Sequence, residues 1–193
     1  VLTMIHFYSY ISRMKHIKRW GLMKNTEQEN IKEHSFDVAV TAHALALIGN
    51  TYFNKNNDVH RIMELALFHE TSEVITGDLA TPIKYFNPQI KKSFSQIENI
   101  ANEKLLAMLP RELSDEYRKV MMHDSDPDYK LVKAADKICA YIKCIEEMKS
   151  GNMEFSKAKE NLFKEICSFD MDEVVYFIQN CLPSFELSLD ELN

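Results

Sequence analysis

Apolar residues return at helical spacing along almost the whole of this chain. Met4, Phe7, Ile11 and Met14 mark one side of an amphipathic helix predicted over residues 2–18. Trp20-Gly21 and the polar stretch 25–30 predict a loop after it. A second helix is predicted over 34–53, where Val38, Ala42, Leu45 and Ala46 keep the 3.6-residue period. After a break at 54–57, Asp58 stands where it would cap a helix running from 59 to about 75. Residues 77–82 read as a loop, Pro88 opens a helix to about 109, Pro110 starts a short one, and 123–128 is a polar loop. The strongest pattern covers 129–149 and stops at Gly151; two more helices, about 154–167 and 170–182, end at Pro183. Nothing alternates with the period of two that a strand requires, and no segment repeats. The expected fold is all-α, a single helical domain over residues 1–193.

Composition sharpens this picture. Hydrophobic residues make up 46% and charged residues 27%, the balance of a globular chain with a core, and four Gly with five Pro leave room for long helices. A net charge of −6 argues against wrapping long nucleic acid, whose phosphates require an excess of Lys and Arg. One small phosphate at a local basic spot remains compatible with it. Cys139, Cys144, Cys167 and Cys181 form no C-x-x-C pair and lack zinc spacing, so they read as reduced core thiols of a cytoplasmic protein. At the start, an apolar stretch precedes the basic cluster Arg13, Lys15, Lys18 and Arg19, the reverse of a signal peptide. No run is long and uncharged enough to span a membrane.

The informative residues are polar groups set in apolar helical runs. His69, Glu70 and Glu73 interrupt 65–75, and His69 and Glu73, four residues apart on the predicted helix, share one face. His69-Glu70-x-x-Glu73 begins like the H-E-x-x-H of zinc proteases, but the second histidine is absent and that reading falls. Asp136 borders the apolar stripe of 131–140, where a carboxylate is costly unless paired with Lys133 or Lys137 or bound to a cation. Glu33-His34-Ser35 adds a histidine near the start of the second helix. Imidazoles and carboxylates drawn from three helices suit one divalent ion of the Mn, Fe, Co, Ni or Zn type better than Ca.

The order His34, then His69 with an acidic neighbour, then Asp136 in a late helix resembles the H…HD…D signature of the HD-domain phosphohydrolases. Longer strings narrow the resemblance to YfbR-type 5′-deoxynucleotidases: Arg19-Trp20, Glu29-Asn30-Ile31-x-Glu33-His34-Ser35, the stretch Ser72 to Asn87, Val132-Lys133-x-Ala135-Asp136, and Pro183 to Glu191. The resemblance implies one divalent ion (Co, Mn, Zn, Fe, Ni or Mg) on His34, His69, Glu70 and Asp136. It implies Glu73 as the acid-base group, Arg19 on the phosphate, Trp20 beside the sugar and Asp78 on the sugar 3′-hydroxyl. The implied substrate is a 2′-deoxyribonucleoside 5′-monophosphate, and the implied assembly a homodimer. An ion at such a site lowers the pKa of a bound water and offsets phosphate charge.

Two positions depart from the family pattern: Glu70 stands where Asp is usual, and Ala80 where Pro is usual. An HD hydrolase of another nucleotide is an alternative, but two-metal members require further histidines before the late Asp. Only His123 is available there, and His43 reads as a packed core residue. A degenerate HD protein that binds nucleotides without turnover is the other alternative, motivated by Glu70 alone.

Overall fold

A computed structural model describes residues 4–84, 86–122 and 126–192. Residues 2 and 3 of the expected first helix, Tyr85 of the family string, and His123 with the start of the expected 123–128 loop lie outside them. The described residues form helices α1 Phe7–Ser12, α2 Ile31–Tyr52, α3 Val59–Phe68, α4 Glu73–Thr76 and α5 Thr81–Lys84. These are followed by α6 Pro88–Leu106, α7 Arg111–Met121, α8 Tyr129–Lys149, α9 Ser156–Cys167 and α10 Asp172–Asn180. Among the described residues there is no strand, only an isolated antiparallel bridge between Lys18 and Asn30. No described helix is long and apolar enough to cross a membrane.

The helices that carry the site are fixed at their ends by side chains. Asn30 accepts from the Lys32 and Glu33 backbone N–H groups (3.0 and 3.1 Å), and Glu33 returns a bond to the Asn30 N–H, so a capping box starts α2 three residues earlier than the apolar period suggests. Asp58 caps α3 as expected, accepting from the Arg61 N–H at 3.0 Å. Val38, Ala42 and Leu45 of α2 meet Ile62, Leu65 and Ala66 of α3 and Val132, Ala135 and Ile138 of α8 in the main core, all essentially inaccessible to water. Burying side chains of this kind stabilises the fold by roughly 1.5–3 kcal/mol for each large aliphatic residue. A second cluster joins Phe7 of α1 to Leu105, Leu106, Val120 and Met121 on α6 and α7.

Several expectations change. The first helix ends at Ser12 and tightens into a 3₁₀ turn, Arg13–His16, because Ile17 turns extended and its carbonyl accepts from the Ile31 N–H at 3.0 Å. The helix expected from 59 to 75 stops at Phe68, and α4 follows after a turn. Residues 81–84 form a short helix that begins within the expected 77–82 loop and runs past its end, and α6 ends at Leu106 rather than 109. Cys139 and Cys144 are core thiols, but Cys167 is exposed and Cys181 only partly covered, since α9 and α10 each bury one side.

Candidate functional site

The cleft is built where α2, the end of α3 and α8 converge. His34 lies in the first turn of α2 and is fully buried, and its Nε2 is 3.0 Å from Asp136 Oδ1 on α8. Neither lysine near Asp136 neutralises it: Lys133 lies over the Tyr129 ring, and Lys137 Nζ is 3.4 Å from Glu165. His69 is the residue after the last turn of α3. There Thr71 Oγ1 donates to the Phe68 carbonyl at 2.9 Å, satisfying an acceptor the ended helix leaves open. Buried Asn102 steadies the break from α6, accepting from Thr71 and donating to the Met121 carbonyl at 3.0 Å. The turn then closes through i to i+3 bonds, among them Glu73 N–H to the Glu70 carbonyl at 3.1 Å, and sets Glu73 buried at the start of α4. His69 and Glu73 are therefore neighbours across a turn, not across one helical face.

One ligand atom from each of His34, His69, Glu70 and Asp136 lies within 4.8 Å of all the others. The donor set fits a cation by an observation independent of spacing. His69 Nδ1 lies 2.6 Å from the Ala66 carbonyl, which can only accept, so Nδ1 is committed as a donor there and Nε2 is the ring nitrogen that faces the cluster. That Nε2 is buried without a sound hydrogen bond, 3.3 Å from Glu70 Oε1. A buried ring nitrogen without a partner, facing two carboxylates and a second imidazole, suits a divalent ion. The extra methylene of Glu70 does not take its oxygen out of this cluster.

Electrostatics separate the three carboxyls. Burial pushes Glu73 up, the adjacent Glu70 pushes the same way, and the group stands well above the usual carboxylate range. Burial would also raise Glu70 and Asp136, but His69 beside the first and the hydrogen bond from His34 to the second hold both well below it. Of these two neighbouring carboxyls, Glu73 is the one whose surroundings favour the protonated form.

Arg19 is largely buried, with Nε 3.7 Å from Glu29 Oε2 and Nη1 enclosed without a hydrogen-bond partner. Burial would cost it the charge, but Glu29, Asp136 and Glu70 around it more than offset that. Trp20 adopts a left-handed backbone (φ 59°), unusual for a bulky residue, and its ring lies against Phe155 with centroids 5.2 Å apart. Asp78 follows Gly77, whose φ of 74° permits the turn, and burial raises its carboxyl. Arg19, Trp20, Glu70, Glu73, Asp78 and Asp136 all line one cleft of about 370 Å³, with His34 and His69 beneath them. Leu22, Met23, Ala140, Ala158, Asn161 and Leu162 also line it.

Two further residues of the site carry no signal in the sequence pattern: Glu29, and Lys84, which lines the same cleft and is 2.8 Å from Glu98. Both act through partners on irregular or distant segments, for which residue spacing carries no signal. His43, expected in the core, is half-buried on α2.

The 5′-deoxynucleotidase YfbR-like family profile matches residues 6–185. The chain is 50% identical over 190 residues to a 5′-deoxynucleotidase of Vibrio cholerae, covering 97% of this chain and 98% of that one. It is 48% identical over 194 residues to the corresponding protein of Cronobacter sakazakii, covering 100% and 98%. Among solved structures, an HD-domain phosphohydrolase from Listeria innocua superposes with a TM-score of 0.82 at 23% identity, covering 93% of this chain and 88% of that one. The HD phosphohydrolase of cyanophage S-2L, solved with dA and one catalytic zinc ion, gives 0.67 at 20% identity, covering 91% and 96%. The helical fold is shared with both, and the match across nearly the whole length shows that the chain belongs to the YfbR-like 5′-deoxynucleotidase family.

Proposed function

We propose that this protein is a metal-dependent phosphohydrolase that removes the 5′-phosphate from 2′-deoxyribonucleoside 5′-monophosphates, and that His34, His69, Glu70 and Asp136 hold its ion. The observation that carries this reading is the junction of three features in one cleft. A four-ligand cluster holds a buried imidazole nitrogen without a partner, a buried arginine donor has no partner, and burial and Glu70 hold a carboxyl beside them above the usual range. A divalent ion on those ligands supplies an activated water and offsets the charge of the phosphate.

The chain's own groups do the rest. Arg19 has a free N–H for a phosphate oxygen and stays charged among carboxylates. Glu73, held above the usual carboxylate range by burial and by Glu70, is suited to give a proton to the departing 5′-oxygen. Trp20 and Asp78 are suited to receive the sugar, the indole as a wall and the carboxylate as acceptor for the 3′-hydroxyl. The apolar members of the cleft lining, Leu22, Met23, Ala140, Ala158 and Leu162, offer a surface for the face of a base. The partner is a small nucleotide and not a long nucleic acid, in keeping with the net charge of −6. The reading includes a cytoplasmic location and a homodimer, for which Phe36, Val40 and Leu47, exposed along α2, offer an apolar strip.

The test is phosphate release from a panel of deoxy- and ribonucleotides with Mn, Co, Mg and Zn. An apolar pocket by itself rejects an added hydroxyl by only about a hundredfold, so discrimination beyond that requires a rigid wall. Trp20→Ala is expected to narrow the gap between dAMP and AMP, mainly by admitting AMP, whereas Asp78→Ala should weaken both. Equal turnover of AMP and dAMP by the unmodified protein would contradict this account of selectivity.

A further inference from the structure

One carboxylate outside the roles given above touches three of the groups that hold them. Glu29 Oε2 accepts from the Trp20 indole Nε1–H at 3.0 Å and lies 3.7 Å from Arg19 Nε. Its other oxygen, Oε1, is 3.7 Å from His34 Nδ1. That Nδ1 is buried and has no hydrogen-bond partner, while the opposite ring nitrogen faces Asp136. The Glu29 backbone carbonyl also accepts from the Arg19 N–H at 3.0 Å, which fixes the two residues side by side. Its side chain is only 14% exposed, so water does little to screen these contacts.

We infer that Glu29 is the positioning residue that ties the ion ligand His34 to the nucleotide-binding Arg19 and Trp20, so that filling the ligand cluster tightens the wall against the sugar. This rests on the function proposed above and extends it. A histidine that ligates through Nε2 becomes a better donor at Nδ1–H, and ligating histidines commonly pass that proton to a carboxylate. Here the only short step required is for Oε1 to close from 3.7 Å to hydrogen-bond length. Because the same carboxylate already holds the indole and the arginine, that step is felt at both. Coupling of this kind is reciprocal: a nucleotide seated against Trp20 and Arg19 steadies Glu29 and tightens the ion.

Trp20 is the only tryptophan, so the emission reports the surroundings of this one ring, and the Glu29→Gln variant isolates the carboxylate's share of the change. Zinc, whose filled d shell brings no redox chemistry, is titrated into ion-free protein without nucleotide. A saturable change in emission is expected in the unmodified chain, and its absence would overturn the inference before any variant is made. Glu29→Gln keeps the shape but satisfies only one of its two sides. It should weaken zinc by about 10–100-fold in chelator competition, remove the emission change and raise the KM for dAMP. Glu33→Gln, which removes the capping-box carboxylate from the same helix start, should keep both the affinity and the emission change. Equal zinc affinity and emission response in Glu29→Gln, or equal losses in Glu33→Gln, would overturn the inference. A failure of the function itself is separately visible, as absence of phosphate release by the unmodified protein that still binds zinc.

Discussion

Asp136→Asn should lower phosphate release by on the order of 10³-fold or more while leaving the helices intact. Asp136 sits where α8 faces the cleft, with 27% of its side chain exposed, and its Oδ1 is the partner of fully buried His34. Asparagine keeps that shape and can still accept a hydrogen bond, so the packing of α2 on α8 has no reason to change. What it loses is the negative charge of a group held well below the usual carboxylate range, the property that the proposed role as a cation ligand requires. An ion at such a site contributes several kcal/mol to the transition state, and about 1.4 kcal/mol is a factor of ten in rate. Steady-state rates with dAMP, read beside far-ultraviolet circular dichroism, check the expectation. Activity within tenfold of the unmodified chain, with a normal spectrum, would remove Asp136 from the ligand set.

The largest effect on stability is expected far from the reacting atoms. Glu147 of α8 is 1% exposed and accepts from Thr26 N–H at 2.8 Å, Thr26 Oγ1 at 2.6 Å, Glu27 N–H at 3.2 Å, Lys143 Nζ at 2.6 Å and Asn152 Nδ2 at 2.8 Å. This carboxylate pins the loop between the 3₁₀ turn and α2, the same loop that carries Arg19, Trp20 and Glu29. Glu147→Ala strands the buried Lys143 ammonium with only the Glu27 carbonyl, 2.7 Å away, and leaves two backbone N–H groups unsatisfied. Breaking a buried pair from one side costs about 3–5 kcal/mol. For a chain of this size that is a fall in Tm of roughly 10 °C. Replacing both members, Lys143→Met with Glu147→Leu, should recover part of the loss, since no charge is then stranded. The loosened loop should also raise the KM for dAMP. A loss under about 1 kcal/mol would mean that water reaches this network.

How much of this was legible in the sequence depended on where each partner lay. The helix Tyr129–Lys149 was read with its observed bounds, because a proline-containing turn precedes it, Gly151 follows it, and its apolar period is unbroken. His34, His69, Glu70 and Asp136 stood out because each is a polar group in an apolar helical context, and they meet within 4.8 Å. The break after Phe68 was not legible. No glycine or proline marks it, and it depends on Thr71 and on Asn102, which lies 31 residues further along the chain. The anchoring of the 20–30 loop was hidden for the same reason, its partners being 116 to 121 residues apart. Glu29 stood in a recognisable string, but its role is set by a loop backbone that no periodicity describes. The two cysteines expected in the core and found outside it lie near the ends of α9 and α10, where one-sided helices leave their last turns open.

The central claim is that one divalent ion on four named side chains makes this protein a deoxynucleotidase. It is tested most directly by stripping the protein of metal and adding back a single divalent ion while phosphate release from dAMP is followed. The account predicts that release stops in the stripped protein and returns in proportion to added ion, levelling off at one ion per chain. In Asp136→Asn the same addition should restore little or nothing. Full turnover by the stripped protein, or a rise that levels off only at two ions per chain, would contradict it.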